Sequence, residues 1–581
     1  MSTDIFEEPL EVEIGLLEAD APTAESYPYP SLKATSAVQR RSFRAVVLEN
    51  GLVRAAFVPA LGGRLLSFYD KRTGVELLSS GPLVLEAGGR RGARLLAGVE
   101  LHLDGAERLT SLGAVQFAAE EPDEDRPGGL WLSEAVTGTG LSWHLYVTLP
   151  KDRAELRFEA RAFNRTFQGV PYSAGLLLPA RSVNRCMDRA FFSADGGQGI
   201  AVIGDRGRWT GAIADGMLRV ARFPETKTLA PRQLDTWGLS VVPFSGLDSI
   251  SAVSQYAASH VDAEQISIQA SRPLRQHKLV LLTQSGQSLE APVEVDPPSI
   301  SVIKLPEPLK AVALMDPSRD VVLKWEVDWD PVMPGESIIG GANESYRSFK
   351  SYMSSPDDEL EAMTFEVGIR HLAQGLLGSR ALAAGDFETA DQRFEQALLY
   401  NAEDHLTWWM KALSKRRHES TGEEPAELMN AHYLAPLEPA LRAESFLSQP
   451  RAFEKEPSAL LKQMDEYPES FVEVAALLVE ARLFEEAARW IGEALRHADL
   501  PMLRYLLAYS HLEASGLDLE AAQQVAAAAS EPLGPPYPWR SIEIEVLRAL
   551  AERFPDNRRL EDWIALSQAT QRRSITLPSN S

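Results

Sequence analysis

The stretch that decides the fold is residues 51–78, GLVRAAFVPALGGRLLSFYDKRTGVELL. Side chains alternate in character along 53–58 and again along 65–69, which is the period of a β-strand. Residues 59–63 contain Pro and a Gly pair and predict a reversal of the chain between the two runs. The segment 70–74, DKRTG, predicts a second turn. We therefore expect a strand hairpin with at least one buried face.

The same period of two continues from about residue 41 to 335, with Gly, Pro and Asp clusters between the runs. In the clearest pair, residues 141–149 and 155–161, Trp143 falls on the apolar face and His144 on the polar face. Another run, 320–329, predicts the closing strand, with Trp325 on its apolar face. This pattern is typical of an all-β sandwich. Nearly 300 residues of strands favour a large two-sheet supersandwich in which one sheet curves around a cleft.

A helical pattern begins near residue 370. Small and large side chains recur at the spacing of tetratricopeptide (TPR) helix pairs, in which small residues let two helices approach closely. The first copy contains Gly378, Gly385, Phe387, Ala390, Phe394 and Ala397, the second Phe484, Ala487, Ile491 and Ala494, and the third Gly516, Ala521, Val525 and Ala528. Residues 419–460 carry five prolines and predict an irregular helical insert. The sequence therefore predicts a β-sandwich followed by a TPR-like α-solenoid.

These patterns divide the chain into four parts. We expect an acidic N-terminal arm at 1–40, the β-sandwich at 41–335, a linker or helix at 336–370 and the helical repeats at 371–575. A length of 581 residues fits this division, because a single hydrophobic core usually stops growing near about 250–300 residues.

The charge balance limits the partners. A net charge of −24 repels nucleic acid and anionic membrane surfaces, so we expect neither as a partner. The first twenty residues have no apolar signal region, and no run approaches the roughly 20 apolar residues of a membrane span. Cys186 is the single cysteine. We therefore expect a cytoplasmic protein without internal disulfides.

The combination resembles a known bacterial family. Its motifs in this chain are 61–70 (LGGRLLSFYD), 98–102 (GVELH) and 235–238 (DTWG), followed by the TPR-like tail. In that family a galactose-mutarotase-like sandwich of unknown function precedes TPR repeats. Leu101 and His102 stand where the family commonly has Trp and Asn. The resemblance implies an architecture and a sugar ligand, but no settled reaction.

The candidate catalytic residues lie in the second motif. On a strand, Glu100, His102 and Asp104 share one face. Mutarotation needs a general base and a general acid, and glycoside cleavage needs two carboxyl groups. Glu100 as base and His102 or His144 as acid would satisfy the first requirement, with Arg64 bonding sugar hydroxyls. The competing interpretation is a solvated outer face without a ligand.

Four tryptophans are candidate platforms for a sugar ring: Trp131, Trp143, Trp209 and Trp237. Trp143 falls on an apolar face, which predicts that its side chain lies in the core. Asp235 and Trp237 are the better candidates for ligand contact, because Gly238 lets backbone approach a ligand. The sequence has no zinc-protease motif, no cysteine pair and no phosphate-binding loop, so we predict no metal and no cofactor.

The leading hypothesis is therefore a carbohydrate-recognising protein whose solenoid binds a protein or peptide. Sugar chemistry of the aldose-epimerase or glycosidase kind stays open. The alternative is a noncatalytic scaffold whose sandwich has lost its active site.

Overall fold

The structure is a computed structural model. It describes residues 3–23, 25–78, 82–103, 108, 110–121, 128–136, 138–180, 182–186, 190–205, 209–214, 216–223, 226–327, 355–419, 425–448, 464 and 467–574. Asp104, one of the candidate acids, lies outside these ranges.

Strands dominate the described chain as far as residue 326. In chain order they are β1 (Asp4–Asp20), β2 (Ser31–Glu49), β3 (Val53–Val58), β4 (Arg64–Asp70), β5 (Val75–Glu76), β6 (Leu85–Ala87), β7 (Ala93–Leu95), β8 (Glu100–His102), β9 (Gln116–Glu120), β10 (Gly129–Val136), β11 (Leu141–Thr148), β12 (Leu156–Asn164), β13 (Val170–Tyr172), β14 (Gly175–Pro179) and β15 (Ser182–Cys186). They continue with β16 (Ala190–Asp195), β17 (Gln198–Gly204), β18 (Thr210–Ala214), β19 (Met217–Ala221), β20 (Lys227–Leu229), β21 (Leu234–Phe244), β22 (Ala252–Val253), β23 (Ala257–Val261), β24 (Gln265–Ala270), β25 (Leu274–Thr283), β26 (Ser288–Val295), β27 (Ile300–Lys304), β28 (Leu309–Met315) and β29 (Val321–Glu326).

Two large sheets form the main sandwich. One has five strands in the order β1-β2-β3-β4-β5, and the other has eight in the order β15-β16-β17-β21-β12-β11-β10-β9. Their facing side chains make one core, which includes Phe57 and Phe68 from the first sheet and Leu132, Trp143 and Phe158 from the second. The predicted hairpin at 51–78 is confirmed as β3 and β4, and the predicted β-sandwich is confirmed with it.

The eight-stranded sheet has two distinct faces. Along β11, Trp143 and its alternate neighbours enter the sandwich core, whereas His144 and Tyr146 point to the opposite face, which we call the outer face. Strand pairing places Tyr146 beside Glu159 and His144 beside Arg161 on that face. The alternation predicted for this strand is confirmed, as is the core position of Trp143.

The N-terminal segment, expected as an acidic arm at 1–40, contains β1 and the start of β2. β1 pairs with β2 from Asp4 opposite Glu49 to Asp20 opposite Ser31, with one register shift. The segment is therefore part of the five-stranded sheet. Its acidic residues face arginines across the ladder, as in the contact of Arg44 Nε with Glu7 Oε2 at 2.7 Å, and this pairing lets an acidic strand form.

The predicted sandwich region contains a second β unit. Strands β22-β23-β24-β27 and β26-β25-β28-β29 form two four-stranded sheets. They enclose a separate core that includes Ile268, Leu279 and Leu314, and this core reaches Phe192 and Phe244 on the outer face of the large sheet. The second β unit therefore packs on one end of that face.

Twelve helices follow within the described ranges. They are α1 (Asp357–Met363), α2 (Arg370–Ala383), α3 (Phe387–Tyr400), α4 (His405–Glu419), α5 (Ala426–Leu434), α6 (Pro439–Ser448), α7 (Glu469–Glu480), α8 (Phe484–Ala494), α9 (Pro501–Ser515), α10 (Asp518–Ser530), α11 (Ser541–Arg553) and α12 (Arg558–Ser574). None of these described helices is long and apolar enough to cross a membrane.

The helices form the predicted TPR-like array. Ala390, Phe394 and Ala397 of α3 are buried, and a Cβ at Gly378 of α2 would lie 2.7 Å from the Phe394 ring. Close helix approach at the small positions is thus confirmed. Of the predicted irregular insert, the structure describes α5 and α6, while 420–424 and 449–460 lie outside the described residues.

A buried ion network joins the array to the sandwich. Arg165, just after β12, contacts Glu438 at 2.9 Å and also contacts Glu473 of α7. His405 Nε2 lies 3.3 Å from Glu438 Oε2. The four side chains are at most 11% exposed. We call this set the interdomain network.

Neighbouring contacts fix the array on the outer face. Arg161 donates to the carbonyl of Leu434 at 2.9 Å, and Tyr467 Oη donates to the carbonyl of Ala135 at 3.4 Å. The rings of Phe163 and His405 are 4.3 Å apart. The array therefore covers the end of the outer face opposite to the second β unit.

Replacing Arg165 by leucine should destabilise the protein by about 3–5 kcal/mol, because two buried carboxylates lose their partner. Urea unfolding followed by tryptophan fluorescence measures this. The control is Arg553→Leu, because its exposed pair with Asp518 should contribute little to stability. An unchanged midpoint for Arg165→Leu would contradict the structural role of the network.

Candidate functional site

The motif residues Arg64 and Glu100 meet inside the sandwich. β4 and β8 bring Arg64 Nη2 to 2.5 Å from Glu100 Oε2, and both side chains are at most 1% exposed. Arg64 also donates to the carbonyl of Ala97 at 2.8 Å. The sequence analysis assigned Glu100 as a base and Arg64 as a group that bonds sugar hydroxyls, whereas here the two side chains pair with each other.

Further buried groups extend this pair. Arg108 lies 3.7 Å from Glu100 and donates to Glu134 at 2.6 Å. Trp143 Nε1 donates to Glu134 at 3.1 Å, and Thr110 contacts the same carboxylate. All of these residues are buried. The arrangement is a closed set of paired charges between the two layers of the sandwich.

The face that carries Glu100 and His102 is not at the surface. Val99 and Leu101 enter the core as expected, but Glu100 and His102 are buried on the other side of the same strand. This differs from both sequence interpretations, a sugar-binding face and a solvated face. The reason is that β8 pairs with β14 in a further sheet, and the charges of Arg64 and Arg108 compensate Glu100 there.

His102 is held neutral. Burial and the nearby charge of Arg219 lower its pKa to about 3, and the backbone of Val220 and Ser173 only partly offsets this. Neither ring nitrogen makes a well-formed hydrogen bond within the described part of the chain. A neutral, fully enclosed imidazole is poorly suited to protonate a sugar oxygen near pH 7.

His144 lies apart from that pair, on the outer face. Its ring is 6.4 Å from that of His405, beneath the helical array. Burial and the neighbouring His405 lower its pKa to about 3. Since the sheet separates the two faces, His144 does not share a site with Glu100.

Asp235 and Trp237 belong to another cluster. Asp235 accepts hydrogen bonds from Arg222 Nη1 at 2.6 Å and from Tyr172 Oη at 2.9 Å. Burial and Asp235 together raise the pKa of Tyr172 well above its usual range. Trp237 is buried in the sandwich core with its ring 6.0 Å from that of Tyr172. Its ring therefore lies in the core, away from the surface where a sugar could stack.

A cavity of about 710 Å³ opens between the outer face and the second β unit. Its polar and aromatic lining residues are Arg157, Phe158, Glu159, Asp205, Ser240, Ser251, Ser254, Gln255, Tyr256, Asp316, Asp320, Lys324, Trp325 and Glu326. We call it the interface cavity.

Strand register explains where this cavity lies. Glu159 pairs with Gly238, and Arg157 pairs with Ser240, on the outer face of β12 and β21. The helical array covers Phe163 toward one end of the face, and the second β unit covers Phe244 toward the other. The strip between them carries polar residues, and none of the described elements covers it. This strip forms the floor of the cavity.

The walls and floor offer complementary chemistry. Trp325 of β29 and Tyr256 supply aromatic surface, while Glu159 and Asp205 supply carboxylates. Asp205 Oδ2 already accepts from the backbone N–H of Gly238 at 3.0 Å, which fixes its position. Concave sites with aromatic walls and a few placed polar groups bind polyol-like ligands well.

Sequence reasoning missed this site. Trp325 stood on the predicted apolar face of the closing strand, and Glu159 stood on the polar face of a predicted strand. Alternation identified each face correctly, yet 166 positions separate the two residues, and the contact between their units has no local sequence signal. Within the described ranges, no cluster of three or more His, Cys, Asp or Glu side chains could hold a metal ion.

No family model matches the sequence. A solved TPR-domain-containing protein from Parabacteroides distasonis is 13% identical, and the match covers 95% of each chain with a TM-score of 0.36. A solved galactose mutarotase-like protein from Lactobacillus casei is 8% identical, and the match covers 34% of this chain and 99% of that one with a TM-score of 0.26.

Glu100→Gln should lower the free energy of unfolding by at least about 2 kcal/mol, because Arg64 would keep a buried charge without a carboxylate. Urea unfolding measures this. Glu86→Gln is the control, because the Glu86 side chain is 47% exposed and lies 3.6 Å from Arg94. A Glu100→Gln protein of normal stability would contradict the structural role.

The lowered pKa values of His102 and His144 predict that the folded protein loses stability at acid pH. Their folded pKa of about 3 lies below the unfolded value of 6.5, so the unfolded state binds more protons and stability falls as pH drops below 6.5. Each histidine should account for about 2 kcal/mol of the loss between pH 7 and pH 5. Urea unfolding at both pH values should show a smaller loss in His102→Gln and His144→Gln than in the wild type. Equal losses in all three proteins would show that these histidines are not the sensors.

Proposed function

We propose that this protein recognises carbohydrate in the interface cavity, with the helical array mounted on the same sheet. The observation that carries the proposal is the lining of this cavity, which combines the aromatic rings of Trp325 and Tyr256 with the carboxylates of Glu159 and Asp205. A volume of about 710 Å³ suits a sugar ligand, since small-molecule pockets span about 300–1,000 Å³.

The chemistry of a sugar fits these groups. Its ring hydrogens form apolar patches that pack on aromatic faces, and its hydroxyls donate to carboxylates. Ser240, Ser254 and Gln255 add neutral donors and acceptors. Recognition, and any acid–base step, is assigned to the carboxylates of this cavity, because Glu100 and His102 are enclosed in the sandwich interior.

The array offers a surface for a protein or peptide partner. Its sandwich-facing side is occupied by the interdomain network. Elsewhere on the array, Leu399 and Tyr400 of α3 and Met429 of α5 expose apolar surface. A partner is therefore assigned to these exposed positions. Neither nucleic acid nor an anionic membrane suits a chain of net charge −24.

A noncatalytic scaffold is the second candidate. It is favoured by the enclosed ion pairing of Arg64 and Glu100, which leaves the family-like motif a structural part of the sandwich. In such a protein the sugar-binding cavity would serve recognition without turnover.

Replacing Trp325 by leucine should weaken sugar binding at least about tenfold, because leucine keeps apolar volume but removes the stacking face. Isothermal titration calorimetry with glucose, galactose, cellobiose and lactose measures this. Trp539→Leu, in the helical array, is the matched control and should bind as the wild type does. Absence of binding to the whole panel, or equal affinity in Trp325→Leu, would overturn the proposal.

A further inference from the structure

The interface cavity carries an excess of negative charge. We propose that it selects a sugar bearing a protonated amine, an amino sugar, over neutral sugars and over sugars with a carboxylate or phosphate. This inference rests on the proposed function and specifies the ligand class of the same site.

The lining residues set the sign of the field. Five of them are acidic, namely Glu159, Asp205, Asp316, Asp320 and Glu326, and two are basic, namely Arg157 and Lys324. A concave site with low-dielectric walls concentrates the field of its lining charges. An anionic ligand would meet repulsion here, whereas a cationic group would be attracted.

Both basic residues are already engaged. Lys324 Nζ lies 2.5 Å from Glu326 Oε1. Arg157 Nε lies 3.5 Å from Glu155 Oε1, and the fully buried Glu155 also accepts from Ser240 Oγ at 2.7 Å. Arg153 and Arg272 share that same carboxylate with Arg157. This arginine cluster therefore reduces the negative field, but it adds no further cation to the lining residues.

The acidic residues are less fully compensated. Asp316 Oδ1 accepts from the backbone N–H of Asp320 at 2.9 Å, a neutral donor that leaves its charge in place. Within the described ranges, Glu159 and Asp320 form no ion pair within 4.0 Å. The surplus carboxylate charge therefore lies on lining residues that a ligand can reach.

The aromatic wall favours the same ligand. The guanidinium of Arg272 lies 4.2 Å from the centroid of the Tyr256 ring, so a cation already occupies one face of that ring. No such pairing occurs at Trp325 among the described residues, and its face is the better place for an ammonium group. Stacking on Trp325 and attraction to the carboxylates therefore both favour a sugar that carries an ammonium group.

Calorimetry with four ligands of one ring type tests this: glucosamine, glucose, N-acetylglucosamine and glucuronate, at near-neutral pH and low salt. We expect glucosamine to bind about tenfold more tightly than glucose, because each surplus charge acts at short range. N-acetylglucosamine keeps the substituent but loses the charge and should bind as glucose does. Glucuronate should bind most weakly, and added salt should reduce the glucosamine advantage.

Glu159→Gln should reduce the ratio of glucosamine affinity to glucose affinity at least about threefold, because both sugars lose the same hydroxyl contact to the Glu159 carboxylate and only glucosamine also loses the charge attraction. The matched control is Glu264→Gln, an exposed residue outside the cavity lining, which should keep the full advantage. Equal affinities for glucose and glucosamine, or tighter binding of glucuronate, would overturn the charge selection and leave the proposed function standing. Failure of all four sugars to bind, or binding insensitive to Trp325→Leu, would instead overturn the proposed function.

Discussion

The rest of the architecture depends on one buried contact, the pairing of Arg165 with Glu438 and Glu473. A guanidinium removed from water must be paired, and here both of its partners come from the helical array. The contact therefore fixes which end of the outer face the array covers. Because the second β unit covers the other end, the strip between them stays open and becomes the floor of the interface cavity.

The eight-stranded sheet carries charge on both faces, but with different consequences. On the inner face, Glu134 of β10 is paired with Arg108 and shielded from water, and Arg108 also lies near Glu100 of the neighbouring β14-β8 sheet, so these ion pairs stabilise the packing of the layers. On the outer face, Glu159 remains accessible within a cavity. Charges that are neutralised inside the sandwich cannot take part in recognition, and this is why the geometry assigns ligand contact to the outer face.

Particular residues show which structural features the sequence patterns predict and which they do not. Alternation correctly assigned Trp143 to the core and His144 to the opposite face, because a strand side chain has only two directions. The small positions Ala390 and Ala397 correctly indicated close helix pairs. The same logic failed for Glu100 and His102, since alternation defines the two faces of a strand but does not tell whether the polar one meets solvent or another buried layer.

The sequence by itself determined the β-then-α order and the periods of the strands and helices, because these follow from local spacing. The tertiary structure alone decided which polar groups remain accessible. Trp325, Glu159 and Tyr256 come from strands and loops distant in the chain, and they line one cavity only after the second β unit and the array have packed on the same sheet. Packing between distant units depends on the sum of many weak contacts, and no short stretch of sequence records that sum.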